Sequence, residues 1–383
     1  MIKRNICLLC GIAFLQGLVF YAPVATLYRQ AAGLGIFHIT LIESISLALT
    51  ICLEIPWGWV ADRIGYKRTM IFCCGLYFVS KIVFWKAASF GGFLLERVML
   101  SVVCAGLSGV DSSMLYVSCN GVDTHRVFSI YQNLGELGIV LAGGIYALWV
   151  GENYRLSAFL TVLAYGAAAI LALGLKEVKD PKERETGTRP KEMLRILGGQ
   201  LRSRKVVFLL LAAILLGETH QTVTVFLSQL QYARAGMSHQ MLSLAYIAVS
   251  ITGLVGGFSS RLCGKTGAKA MGTVLLTVSV GCCVLLGVSA APVASVLAVL
   301  GLRGCYSLMQ PLFTQLQNQL VTTSNRATAL SMNAVVQDGL GIFLNLVFGY
   351  VAEQDLRLAM LFGGVLCVLG LVFYRASRGF STE

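Results

Sequence analysis

The sequence predicts an all-α polytopic membrane protein, with twelve transmembrane helices in two pseudo-symmetric six-helix bundles. Three observations carry this expectation. Of 383 residues, 13% are charged and 56% hydrophobic, and the mean hydropathy is +0.76. A soluble domain carries about 25% charged residues, so this chain has too few polar side chains to cover a water-facing surface. Apolar runs of about 20 residues recur along it, enough to cross roughly 30 Å of hydrocarbon. Only helices and closed barrels satisfy their backbone there, and these runs are too continuous for barrel strands, which alternate. Finally, features of the first half return, in order, in the second.

Apolar length, Gly/Pro breaks and charged punctuation place spans near 6–28, 37–60, 68–88, 91–118, 127–149 and 155–175, and again near 206–231, 240–262, 269–289, 292–319, 327–351 and 356–374. The first follows Lys3 and Arg4 and runs to about Tyr28. It outlasts the 7–15-residue core of a signal peptide, so it is read as a retained span. The second carries Glu43 and Glu54 nearly in line on a helix, with Glu54 near the end that anchors a hairpin. On the fourth, Arg97, Ser101, Cys104, Ser108 and Asp111 follow steps of four, three, four and three. At 3.6 residues per turn they share one face, and a polar stripe on an apolar helix must meet a cavity or a partner. The fifth carries Glu136 in a glycine-rich stretch, the seventh Glu218 and His220, and the tenth Arg303. On the eleventh, Asn333, Gln337 and Gly341 with Asp338 beside them suggest a helix–helix contact.

Lys176 to Lys205 is the long polar segment, and it divides the chain into bundles at 1–175 and 206–383 joined by a linker at 176–205. Within it, Met193, Leu194, Ile196, Leu197 and Leu201 alternate with Arg195, Arg202 and Arg204, a pattern open to an amphipathic helix at the headgroups or to a solvated linker. The repeat places Gly257 and Gly264 opposite Gly58 and Gly65, Arg326 and Asn333 opposite Arg126 and Asn133, and Arg303 opposite Arg97.

The net charge of +12 raises nucleic acid as a partner, but its placement argues for topology. Lys3, Arg4, Arg63, Lys67, Arg68, Arg126, the linker cluster, Arg261, Lys265, Lys269, Arg326, Arg375 and Arg378 fall on one side, against Arg29, Lys86, Arg155, Arg234 and Arg357 on the other. The positive-inside rule makes the first side, with both termini, cytoplasmic. Of the twelve cysteines, ten fall in apolar runs and behave as small hydrophobes. Cys7-x-x-Cys10 lacks a second ligand pair, so neither zinc nor another cofactor is expected.

Between the second and third spans lies Glu54-Ile55-Pro56-Trp57-Gly58-Trp59-Val60-Ala61-Asp62-Arg63-Ile64-Gly65-Tyr66-Lys67-Arg68. The pattern Gly-x-x-x-Asp-Arg-x-Gly-x-Lys-Arg resembles the loop between helices 2 and 3 of the major facilitator superfamily, departing at Tyr66, where a basic residue is common. The stretch from Arg303-Gly304 through Pro311 and Asn318 to Arg326–Ser331 also resembles spans 10 and 11 of bacterial members, nearest to the drug/proton antiporter-like branch. The resemblance implies a twelve-helix secondary transporter of the cytoplasmic membrane. It assigns Gly58, Asp62, Arg63, Gly65 and Arg68 to a gating loop, with the aspartate and arginine in a charge relay. It also implies a central cavity lined by helices 1, 4, 7 and 10. The residues selected there are Gln16, then Arg97, Ser101, Ser108 and Asp111, then Glu218 and Thr222, then Arg303 and Gln310. The Gly-Pro pair of proton-driven drug exporters is absent from the fifth span, where Ile139 stands in place of proline.

Ionisable groups at membrane depth are functional candidates. Asp111, with Arg97 as a competing counter-ion, and then Glu218 are the expected proton or substrate groups. His220 is either a further proton carrier or a packing histidine. No Gly-x4-Gly-Lys-Ser/Thr pattern occurs, so an ion gradient or the solute itself is expected to supply the energy. The function expected is proton-coupled movement of a small solute, with export favoured over import. A membrane enzyme is disfavoured, because His38, His125, His220 and His239 are scattered and no His-Glu-x-x-His is present. A non-transporting sensor of the same fold is the alternative of another class. Substrate and oligomeric state are not legible.

Overall fold

A computed structural model describes residues 2–119, 124–178, 198–199, 201–320 and 326–379, without the side chains at 2, 3, 55, 58, 59, 61, 62, 125 and 326–331. Among the described residues the regular structure is all helical, and twelve segments are long and apolar enough to cross a membrane. The possible amphipathic helix between Met193 and Leu201 falls largely outside the described residues.

Packing divides the chain into two compact units, Met1–Glu185 with Ser238–Ile247, and Thr186–Met237 with Ala248–Glu383. In the first, α1 (Ile2–Gly17) passes through a 3-10 turn at Ala22–Val24 into α2 (Ala25–Ala31), and the two make one span. Then come α3 (Ile36–Ile64), α4 (Tyr66–Lys86), α5 (Phe90–Leu107), α6 (Val110–Ser118), α7 (Thr124–Ile145) and α8 (Tyr154–Leu173). Ser243 belongs to this unit, its hydroxyl donating to the Gly143 carbonyl at 2.7 Å.

The second unit holds α9 (Arg204–His220), a π-helical segment at Gln221–Leu227, and α10 (Ser228–Arg234). After α11 (His239–Thr252), shared between units, follow a 3-10 segment at Gly253–Phe258 and α12 (Ser259–Thr266). The unit is completed by α13 (Ala268–Val288), α14 (Pro292–Leu320), α15 (Arg326–Gln354) and α16 (Leu356–Gly379). The same pairings occur twice. α4 packs on α8 and α5, and α1 on α8; in the second unit α13 packs on α16 and α14, and α9 on α16.

The repeat is most visible at the turns. Gly65, between α3 and α4, has φ +87° and ψ 156°; Gly267, between α12 and α13, has φ +78° and ψ 150°. This backbone region favours glycine. The counterpart of Gly65 is therefore Gly267, and the sequence-based pairing with Gly264 is corrected. Gly264 lies inside α12.

Lipid leaves little hydrophobic force between helices, so small residues and close backbone approach join them. An ideal Cβ on Gly138 would collide with the Phe14 carbonyl, and one on Gly17 with the Gly135 carbonyl. The glycines of the fifth span thus seat α7 directly on α1. We expect Gly138→Ala to lower stability by about 1–3 kcal/mol, the usual cost of overpacking, read as a lower melting temperature in detergent. The opposite faces are apolar and open: Leu163, Ile170 and Leu173 of α8 are all exposed, as a lipid-facing stripe requires.

Candidate functional site

In the first unit, five charged side chains meet among aromatic rings. Arg29 ends α2, Glu43 sits on α3, Lys81 on α4, and Glu96 and Arg97 on α5. One carboxylate oxygen of Glu43 receives Arg29 at 2.8 Å and Arg97 at 2.7 Å. Glu96 holds Lys81 at 3.3 Å and approaches Arg97 at 3.5 Å. Lys81 also donates to the Tyr21 hydroxyl at 3.0 Å and lies over the rings of Tyr21, Tyr77 and Tyr165 at 5.0–5.6 Å. Such rings attract a desolvated cation. Arg29, Lys81 and Glu96 are almost wholly buried, whereas Arg97 keeps 22% exposure. Three cations face two carboxylates.

Sequence reasoning misses Arg29 and Glu96. Arg29 follows an apolar run and reads as loop, but the turn at Gly33, with Leu34 N–H bonded to the Arg29 carbonyl at 3.2 Å, folds it back inside. Glu96 was detectable by the rule that selects Arg97, an ionisable group within an apolar run.

The fourth span does not keep one continuous face. α5 ends at Leu107, Gly109 takes φ +79°, and α6 restarts at Val110, so the regular spacing that aligns Asp111 with Arg97 is interrupted. Arg97 pairs with Glu43 and Glu96, which corrects the expected competition for Asp111. Asp111 instead accepts from the Tyr131 hydroxyl at 3.1 Å and from the Ser112 N–H at 2.6 Å, near the N-terminal end of α6, where negative charge is favoured. Ser101 is 1% exposed. Its hydroxyl lies 2.8 Å from Ser46 Oγ, so it joins α5 to α3 rather than facing an opening. Ser108 donates to Glu54 at 3.5 Å. Gln16 donates to Cys74 Sγ at 3.7 Å and its carbonyl accepts from Tyr165 at 2.7 Å, tying α1 to α4 and α8.

In the second unit, the α9 span carries the chemistry. Immediately after Glu218 and His220 the helix widens into its π-helical segment, a form common at functional sites. Thr224 and Ser228 bond back to the carbonyls of His220 and Thr224 at 2.6 and 2.7 Å. Thr222 is 1% exposed and its hydroxyl has no hydrogen-bond partner.

His220 stacks on Tyr306 with ring centroids 3.9 Å apart and 5° between planes, and Arg303 Nη1 lies 3.2 Å from His220 Nε2. A guanidinium only donates, so His220 accepts here, and the packing alternative is the one its geometry fits. The Arg303 guanidinium rests on the bare backbone of Gly253, where a Cβ would collide with it. The Glu218 carboxylate rests likewise on Gly341, a Cβ there falling 2.5 Å from Oε1. Asp338 lies one turn before Gly341 on α15 and acts electrostatically on Glu218. No cation lies within ion-pair distance of Glu218 among the described residues. Gln310 is exposed beside Pro311 of α14, its carbonyl bonded by Thr314 at 3.0 Å.

At the α3–α4 turn, Glu177 from beyond α8 reaches the Lys67 N–H at 3.3 Å, and its carboxylate lies against Gly65, where a Cβ would be 2.8 Å away. Thr69 donates to the Gly65 carbonyl at 3.0 Å. Arg63 and Arg68 are exposed. The side chains at 58 and 62 lie outside the described ones, so the acid seen on this turn is Glu177, which sequence reasoning leaves in the linker.

The sequence pattern described as the Major Facilitator Superfamily matches residues 7–345. An uncharacterized MFS-type transporter of Methanocaldococcus jannaschii is 28% identical over 177 residues, 44% of either chain, so the match spans under half of that relative. Among solved structures, the nucleoside transporter NupG superposes with TM-score 0.83 at 16% identity, covering 98% of this chain and 100% of that one. A bacterial homologue of the human lysosomal transporter Spinster, in an inward-facing and unoccupied conformation, gives 0.75 at 16%, with 98% and 97% covered. A D-xylose–proton symporter gives 0.74 at 13%, with 100% and 99% covered. At such identities the likeness is one of fold.

Proposed function

Because the chain belongs to the Major Facilitator Superfamily, we propose that it is a proton-coupled secondary transporter that moves a small solute across the cytoplasmic membrane by alternating access. The observation that carries proton coupling is Glu218. It is a carboxylate inside a span, resting on the Gly341 backbone, with the charge of Asp338 acting on it and no cation within ion-pair distance among the described residues. Such a group binds a proton when its surroundings are closed and yields it when water reaches it. Asp111, by contrast, is already held by hydrogen bonds from Ser112 and Tyr131 at the start of α6. This ranks Glu218 ahead of Asp111, reversing the order the sequence suggests.

Export is the direction we favour, on the resemblance to the drug/proton antiporter-like branch. Import is the second reading, and the D-xylose–proton symporter among the structural neighbours supports it. The distribution of Lys and Arg supports cytoplasmic termini. The loop with Gly58, Asp62, Arg63, Gly65 and Arg68 serves as the gate, held in one state by Glu177. Midplane binding between homologous halves is the usual arrangement for this mechanism.

A screen for solutes that raise the melting temperature in detergent identifies the cargo by mass action. Labelled cargo is then followed in proteoliposomes with and without a pH gradient. We expect gradient-dependent movement in the parent and in Asp111→Asn. Movement indifferent to the gradient would overturn proton coupling, and a pH dependence lost in Asp111→Asn would return the role to Asp111.

A further inference from the structure

We infer that the transported solute is an organic anion, and that Arg303 receives its carboxylate or phosphate group. This rests on the transporter reading above and names the cargo class of the same protein. Arg303 sits within the tenth span, on α14. Its Nη1 contacts a neutral acceptor, His220 Nε2, at 3.2 Å; its Nε is buried without a hydrogen-bond partner. No carboxylate lies within ion-pair distance of it among the described residues. Of the acids of the same region, Glu218 rests on Gly341 and feels the charge of Asp338.

A guanidinium cannot shed its proton, and a charge at this depth is costly without a counter-charge. An arginine kept there without one is a receptor waiting for an oxyanion, whose two oxygens its planar fork matches. The guanidinium packs on the Gly253 backbone on one side, and the His220–Tyr306 stack fixes it on another.

The first unit shows the same imbalance independently. Among the described residues, Arg29, Lys81 and Arg97 pair only with Glu43 and Glu96, and Arg97 is the most exposed of the three cations. Among the described residues, Arg303 and the Arg29–Lys81–Arg97 cluster thus each carry one positive charge more than the carboxylates ion-paired with them. A neutral sugar would leave Arg303 unanswered, and a cationic drug would be repelled by it.

The test compares the parent with Arg303→Gln in detergent, without a membrane gradient. The probes are benzoate, succinate and glucose 6-phosphate, each against its neutral counterpart, benzamide, succinamide or glucose. We expect at least one anion, and no neutral analogue, to raise the parent's melting temperature saturably. In Arg303→Gln the apparent Kd for that anion should rise by about 10–100-fold, as for a lost hydrogen bond to a charged group. We also expect Arg303→Gln without ligand to melt no lower than the parent, because it removes an uncompensated buried charge.

A variant that melts lower shows a packing arginine and overturns the inference. Equal anion shifts in both proteins, or no anion shift in the parent, overturn it as well. Because binding is read without flux, loss of gradient-driven transport alongside an intact anion response would sink proton coupling and leave this site standing.

Discussion

Glu43→Gln is expected to destabilise the folded protein by about 3–5 kcal/mol, the cost of breaking a buried ion pair from one side. One oxygen of Glu43 answers two guanidinium groups, Arg29 at 2.8 Å and Arg97 at 2.7 Å. Glutamine keeps the shape and can still accept a hydrogen bond, but it brings no charge. Glu96 cannot substitute, because it is buried and already shared between Lys81 and Arg97. The variant would hold three cations against one carboxylate, and arginine has no neutral form to retreat to. Thermal unfolding in detergent reads the effect. Arg29→Gln/Glu43→Gln should recover part of the loss, since it returns the network to the parent's excess of a single charge. A single variant as stable as the parent, or a double variant no better than the single, would mean that the network does not hold the helices together.

What the sequence makes legible here, and what it hides, divides along physical lines. Span existence depends on apolar length alone, so the twelve candidate spans among the described residues follow from hydropathy. Glu218, His220 and Arg303 are visible because an ionisable group inside an apolar run is conspicuous wherever its partner lies. The partners are tertiary facts. That Arg97 pairs with Glu43 rather than Asp111 depends on Gly109 breaking the fourth span, and a period of 3.6 assumes that no such break occurs. Gly109 was a visible warning, because glycine inside a helical pattern often marks a left-handed residue.

Gly264 and Gly267 both lie near the end of the eighth span, and spacing alone favours the wrong one; only the positive φ of Gly267 identifies the turn. Arg29 is hidden for a related reason. Charge counting assigns a span-end arginine to a loop, yet the short α2 after the 3-10 turn at Ala22–Val24 carries it back among Phe84 and Glu43. The gate divides in the same way. Gly65 stands out as a glycine in a tight turn, but Glu177 comes from more than a hundred residues away, and no local pattern connects them.

Glu218→Gln should abolish the effect of a pH gradient on solute movement, lowering gradient-driven transport at least to the level seen without a gradient. Glutamine fits where the carboxylate lies on Gly341 and mimics the protonated acid, so binding and exchange of solute should survive. The expected signature is a split. Exchange of labelled for unlabelled solute, with equal pH on both sides, continues in the variant at a rate near the parent's, while accumulation against a gradient fails. General acid–base groups of this kind act by gaining and losing one proton per cycle, and a side chain frozen in the protonated form cannot complete that cycle. Asp338 supplies the control. If the two acids share one proton, Asp338→Asn leaves Glu218 as a lone carboxylate and shifts the pH dependence without removing it. A Glu218→Gln protein that still accumulates solute with the parent's pH profile would exclude Glu218 as the proton carrier, and an exchange rate that falls together with accumulation would make it a solute-binding group instead.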